Sequence, residues 1–253
     1  MLINETIQKL IDLKLHSLAK AVREMLEMPP DQQLTFEDKL GLLIDREWTE
    51  RENRRVARRV KEARLSTRAS PEEIITDAAR GLDRAAIREL ITCQWVRSHH
   101  NLVIVGATGV GKSFLAGALT QAAIRQGFRG LFIRVPRLLE QLAIARASAD
   151  YSKTLERVAR VDVLVLDDFL LAPMTDVERR DLLEVLEDRY GKTSTILTSQ
   201  LPTKSWHDAL GEPSIADAIC DRLVHNAHLL TLRGPSIRRQ KGLKPQLETQ
   251  PTT

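Results

Sequence analysis

Residues Leu102-Val-Ile-Val-Gly-Ala-Thr-Gly-Val-Gly-Lys-Ser113, running on into Phe114-Leu-Ala-Gly-Ala-Leu119, read as a buried strand, a glycine-rich turn and the opening of a helix. Gly106, Gly111, Lys112 and Ser113 have the spacing of a phosphate-binding loop. The glycines let backbone N–H groups turn toward one point, a nest for phosphate oxygens at the positive end of a helix. The candidate nucleotide-binding segment runs from Gly106 through Ala107, Thr108, Gly109 and Val110 to Gly111, with Lys112, Ser113 and Phe114 opening the helix. Lys112 is suited to reach the β- and γ-phosphates and Ser113 to ligate magnesium. The flanking strand and helix set this stretch apart from a tight turn that happens to contain Lys-Ser.

Further along, apolar strands alternate with helices. Strands are expected at Leu131–Val135, Val161–Asp168, Ser194–Gln200 and His228–Leu232, with helices at 136–144, 151–159, 176–190 and 214–226. That alternation predicts an α/β fold in which a five-stranded parallel sheet lies between helices. Val163-Leu-Val-Leu166 delivers Asp167 and Asp168 to its C-terminal end, where open α/β sheets bind ligands. Asp167 is the second candidate magnesium residue, beside Ser113, and Asp168 is suited to orient or activate an attacking water. Thr198, Ser199 and Gln200 end the next strand; Ser199 or Gln200 is favoured as a polar sensor of the γ-phosphate, against a simple turn before Pro202. Arg222 either acts on a neighbouring subunit's nucleotide or pairs with Asp217 or Asp221 on its own helix.

Upstream of this region the sequence is helical and increasingly basic. Apolar residues recur at helical spacing from Leu2 to Met28, and Pro29-Pro30-Asp31 ends that helix. Thr35 with Asp38 announces a second helix. Along it Arg51, Arg54, Arg55 and Arg58 fall on one face, with Arg59 and Lys61 beyond, while Val56, Val60 and Ala63 fall on another. This stripe suits contact with a nucleic-acid backbone. The other reading is a solvated helix in which Glu47, Glu50, Glu52 and Glu62 offset the arginines. Another amphipathic helix is expected from Leu82 to Ser98. The chain has 253 residues, 43% of them apolar, and a formal charge of +4, so it can bury a substantial core and its basicity matters through clustering. No apolar run approaches the roughly 18 residues of a membrane span, and the start lacks the marks of a signal peptide, so a cytoplasmic location is expected. Cys93 and Cys220 have no paired spacing and read as small core residues. His99-His100 lacks a nearby Cys or third well-spaced ligand and reads as surface or helix-end residues.

These residues together resemble the IstB-like ATPases, which assist the transposase of an insertion sequence and belong to the AAA+ class, close to DnaC-type helicase loaders. The resemblance is carried by the Phe36–Trp48 block with Arg51-Glu-Asn-Arg-Arg55, the phosphate loop, Leu166-Asp-Asp168, Leu197-Thr-Ser-Gln-Leu-Pro202 with Trp206, and Ile215–Ala227. It implies an AAA+ P-loop core at 82–233, behind an all-helical N-terminal domain at 1–68 for DNA or partner contact. A linker is expected at 69–81 and a basic tail at 234–253. It further implies ATP and magnesium as ligands, assembly of a homo-oligomer on duplex DNA with nucleotide at the subunit interface, and a cognate transposase as partner. Arg222 becomes the candidate finger acting in trans. Asp168 stands where AAA+ proteins commonly carry glutamate, and Arg238 and Arg239 follow the last strand where many place a second sensor. A helicase loader is the alternative within this class. A small-molecule kinase lacks a visible lid or acceptor pocket and has no use for an arginine-rich helix.

Overall fold

The computed structural model describes residues 2–27, 34–65 and 69–237. Arg238, Arg239 and the tail beyond them, like Pro29-Pro30-Asp31, lie outside the described residues. The chain forms two compact units, one ending at Arg58 and a larger one beginning at Arg59.

In the first unit, α1 (Leu2–Asp12) and α2 (His16–Leu26) stand in place of the single helix expected from Leu2 to Met28. Lys14 takes a left-handed φ of 60°. Its N–H donates to Ile11 O at 2.8 Å and that of Leu15 to Leu10 O at 2.8 Å, the bond pair that closes a helix through a left-handed residue. Helix α3 (Phe36–Glu62) starts as its capping residues predict. Thr35 N–H donates to Asp38 Oδ2 and Asp38 N–H to Thr35 Oγ1, both at 3.2 Å. Midway along it, buried Glu47 reaches the uncapped start of α2 and accepts from Leu18 N–H at 2.9 Å. Arg51 lies 2.8 Å and Arg54 3.7 Å from the same carboxylate. Burial opposes the charge of Glu47, but Arg51, the Leu18 amide and Arg54 outweigh it and hold its pKa below the usual glutamate value. Arg51, Arg54, Arg55 and Arg58 are exposed along the helix, as the spacing predicts, and carboxylates partly neutralise the stripe: Glu47 serves two of them and Glu52 pairs with Arg55.

The larger unit is built on five parallel strands, β1 (Asn101–Gly106), β2 (Gly130–Arg134), β3 (Val163–Phe169), β4 (Ser194–Ser199) and β5 (Ala227–Leu232), in the order β2-β3-β4-β1-β5. Alternate residues feed two cores. Leu102, Ile104, Val163, Val165 and Ile196 pack with α4 (Arg84–Ile91), α5 (Gln94–Arg97) and α6 (Lys112–Arg125). Val103, Val105, Leu164, Leu166 and Leu197 pack with α7 (Val135–Ala147), α8 (Tyr151–Ala159), α9 (Asp176–Arg189), α10 (Trp206–Leu210) and α11 (Pro213–Val224). Burial on both faces explains why the strands read as continuous apolar runs.

The helix expected from Leu82 to Ser98 is broken at Cys93, whose φ is 57°, and Trp95 Nε1 donates back to Leu90 O at 2.9 Å. Cys93 is fully buried, which pushes its thiol up to about 11 and leaves it an inert core residue; Cys220 is half-buried. The segment 69–81, expected as a linker, packs within the larger unit. Glu72 pairs with Arg125 of α6, Arg233 N–H donates to Arg80 O at 3.0 Å, and a Cβ at Gly81 would meet Thr231 O at 2.1 Å.

At the foot of the sheet, Arg189 is fully buried. Its guanidinium donates to Val158 O at 2.8 Å, Val161 O at 2.9 Å, Ser194 O at 2.6 Å and Thr195 Oγ1 at 3.2 Å, tying the end of α8 to the starts of β3 and β4. Burial lowers its pKa to about 9, still protonated at neutral pH. Arg189→Met leaves three buried carbonyls without that donor, at about 1–3 kcal/mol each. Chemical denaturation is expected to show a loss of at least about 3 kcal/mol; a loss below about 1 kcal/mol would contradict this role.

Candidate functional site

The phosphate loop leaves the sheet at Gly106, where a Cβ would lie 2.4 Å from Leu232 O of β5, so only glycine lets the chain pass. Gly109 and Gly111 follow with φ of 85° and 104°, and α6 begins at Lys112. Lys112 is buried along the loop, its Nζ donating to Gly106 O at 2.8 Å and Ala107 O at 2.9 Å. Two backbone carbonyls of the loop accept from outside the motif: Arg80 donates to Val110 O at 2.9 Å, and Ile237 N–H to Gly109 O at 2.9 Å. Neither shows in the sequence, because both partners are distant along the chain.

Beneath the loop, Asp167 is buried and accepts two hydroxyls. Ser113 Oγ lies 2.8 Å from its Oδ1 and 3.0 Å from its Oδ2, and Thr198 Oγ1 donates to Oδ1 at 2.6 Å. The β3–β4 register slips between Leu166 and Phe169. Asp168, inside this irregularity, takes a left-handed φ of 59°, a conformation Asp tolerates better than most residues, and its side chain is re-aimed. Its Oδ2 accepts from Arg134 Nε at 2.7 Å, and its N–H donates to Thr198 Oγ1 at 3.2 Å. Arg134, at the end of β2, belongs to no motif that would single it out in the sequence.

Of the two favoured sensors, Gln200 lies beside the loop, its Oε1 accepting from Thr108 Oγ1 at 2.7 Å. Ser199 does not face the site. It is fully buried and turned to the other side of the strand, donating to Phe169 O at 2.9 Å and accepting from Leu201 N–H at 3.2 Å. Thr198 occupies the inward position instead. Strand alternation holds the signal for this: Thr198 shares a face with Ile196, which packs with α6, whereas Ser199 shares one with Leu197.

Arg222 sits at the opposite end of the sheet. Its carbonyl accepts from Asn101 at the start of β1, whereas the loop follows the end of that strand, roughly 17 Å away at about 3.3 Å per residue. Its guanidinium stacks 4.8 Å from the Tyr190 ring centre and pairs with Glu187 at 3.0 Å and Asp221 at 2.5 Å. It is thus separated from the phosphate loop of its own chain. The sequence-predicted Arg51, Arg54, Arg55 and Arg58 lie in the first unit and Arg59 and Lys61 in the second.

No three His, Cys, Asp or Glu side chains among the described residues group as a metal site. Ser113, Thr198 and Asp167 form an all-oxygen set instead, whose chemistry fits magnesium carried in with a nucleotide's phosphates. No described helix is long and apolar enough to cross a membrane.

The parallel sheet, the loop at the end of β1 and the carboxylates at the end of β3 make up a P-loop nucleotide-binding fold of the AAA+ type. A family model described as IstB-like ATP binding protein matches residues 8–245, and the chain belongs to that family. An insertion sequence ATP-binding protein of Sinorhizobium fredii is 46% identical over 244 residues, 96% of this chain and 100% of the relative. The insertion sequence IS21 ATP-binding protein of Pseudomonas aeruginosa is 32% identical over 241 residues, 95% of this chain and 91% of the relative. Among solved structures, the DnaC helicase loader has a TM-score of 0.57 at 24% identity, covering 65% of this chain and 97% of that one. AMPPCP-bound DnaA from Aquifex aeolicus has a TM-score of 0.57 at 18% identity, covering 70% and 56%. At these identities the likeness is one of fold.

Thr198→Val removes one hydrogen bond to Asp167 and is expected to weaken binding of a fluorescent ATP analogue roughly two- to tenfold, the equivalent of about 0.5–1.5 kcal/mol. Ser199→Ala is expected to lower thermal stability and leave that affinity unchanged; the reverse pattern would contradict the assignment.

Proposed function

We propose that this protein is a magnesium-dependent ATPase that assembles as a homo-oligomer on duplex DNA in an ATP-dependent manner and assists the transposase of an insertion sequence in selecting target DNA. The observation that carries the reading is full-length similarity to insertion-sequence ATP-binding proteins, with the nucleotide constellation intact in the fold. Action on DNA with a transposase implies a cytoplasmic protein.

In this reading the loop N–H groups and Lys112 cradle the phosphates and take up charge as the γ-phosphoryl transfers to water. Ser113 and Asp167 would hold a magnesium ion, whose chemistry is to neutralise negative charge between phosphate oxygens. Asp168 orients the attacking water and accepts its proton, which requires it to part from Arg134. Gln200 offers a polar group next to the loop. Arg222, remote from its own loop, acts on the nucleotide of an adjacent subunit, which makes hydrolysis a property of the assembly.

A helicase loader is the second reading, favoured by the fold match that covers nearly all of the DnaC chain. Sedimentation with duplex and single-stranded DNA, with and without ATP, separates the two. Large ATP-dependent complexes on duplex DNA without any helicase, absent for Lys112→Ala, are expected; no duplex assembly would overturn the proposal in favour of the loader. Asp168→Asn is expected to assemble normally and to lose at least about a hundredfold in ATP turnover.

A further inference from the structure

The larger unit contains a second basic feature, distinct from the phosphate loop. A cavity of about 400 Å³ opens along the outer edge of β2, lined by Arg59, Arg64, Arg129, Arg134, Arg137 and Arg157. That volume falls within the usual range for ligand pockets. Among the described residues that line it, six are arginines and one, Glu62, carries a carboxylate. Arg134 is engaged by Asp168, and Arg157 donates to Gln141 at 3.1 Å. Arg64, Arg129 and Arg137 are exposed and have no ion pair among the described residues. The backbone makes the wall a fixed one: Phe132 N–H donates to Ala63 O at 2.8 Å, holding the segment of Arg64 against β2, and Arg129 N–H donates to Asp162 Oδ2 at 2.6 Å.

Like charges gathered around a concavity repel one another, and the field they make is focused inside it. An anion with several oxygens relieves that repulsion, and guanidinium forks match phosphate oxygens in pairs. The unpaired arginines come from three separate stretches of chain, so the field belongs to the fold rather than to one basic helix.

We propose that this arginine-walled cavity is a phosphate-ester site whose ligand is the backbone of DNA, so that DNA binding by this chain centres on the β2 edge of the larger unit. The inference deepens the proposed function and rests on its DNA-binding half. Arg59 is the one residue shared between this cavity and the basic stripe read from the sequence.

The test is fluorescence anisotropy of a labelled 50-base-pair duplex over a range of KCl, with a non-hydrolysable ATP analogue present. It compares the wild type with the triple variant Arg64→Ala, Arg129→Ala, Arg137→Ala and with the same three positions changed to lysine. The alanine variant is expected to bind at least about tenfold more weakly at 0.1 M salt, with a salt slope shallower by up to about 2.7, at about 0.9 for each phosphate no longer neutralised. The lysine variant, which keeps the charges, is expected to retain the slope. A second arm measures binding of a fluorescent nucleotide to Lys112→Ala, with and without the three alanines. Residual binding that the alanines abolish, beside an unchanged DNA slope, would support the phosphate site and make a free nucleotide its ligand. Unchanged DNA affinity and slope, with no such nucleotide binding, would overturn the inference while the proposed function stands. Absence of duplex binding by the wild type would sink the DNA-binding proposal itself, and the nucleotide arm then decides the cavity alone.

Discussion

Ser113 and Thr198 both donate to the carboxylate of Asp167, and through that one group the first turn of α6 is joined to the ends of β3 and β4. These elements meet at the C-terminal rim of the sheet, where the polar groups of an otherwise apolar interior converge. Deep inside, a carboxylate needs donors on its oxygens to remain charged at modest cost. The hydroxyls that supply them also form, with it, the oxygen set suited to a metal–nucleotide complex. Stability and ligand chemistry therefore lie on the same three side chains. The slipped register of β3 then separates two adjacent aspartates, one turned to α6 and the other to Arg134.

Much of this is legible in the sequence because it is local. The five strands are apolar runs bounded by turn residues, and burial on both faces leaves them little choice of conformation. Gly106, Lys112, Ser113 and Asp167 announce themselves by spacing. What escapes a reading of the sequence depends on backbone turns that no special residue marks. Lys14 and Cys93 take left-handed φ although neither is glycine, and each splits a helix whose apolar periodicity runs straight through the break. Thr198 and Ser199 both end β4, and it is the side-chain alternation of that strand that turns Thr198 rather than Ser199 toward Asp167. Glu47, one charge among many on a polar helix, turns out to cap α2 from a distance of 29 residues. Longer-range features, such as the hydrogen bond of Arg80 to the loop and the gathering of arginines at the β2 edge, have no sequence window in which to appear.

Charge on the larger unit is arranged by the direction of its strands. The phosphate loop lies at their C-terminal ends and Arg222 at the other, its guanidinium held against Tyr190 and Glu187. Under the proposed function, an arginine so remote from its own loop acts in catalysis only within an assembly. Arg134 connects two of these regions, since it lines the β2-edge cavity and also holds Asp168.

The central claim is that Asp167, with Ser113, holds the metal of a bound nucleotide. Electron paramagnetic resonance of Mn²⁺ with a non-hydrolysable ATP analogue, on wild type and on Asp167→Asn, tests it most directly. A protein-bound Mn²⁺ signal with phosphorus coupling in the wild type, lost or much weakened in Asp167→Asn while the variant remains folded, is the predicted result. The same bound signal in both proteins would contradict the account.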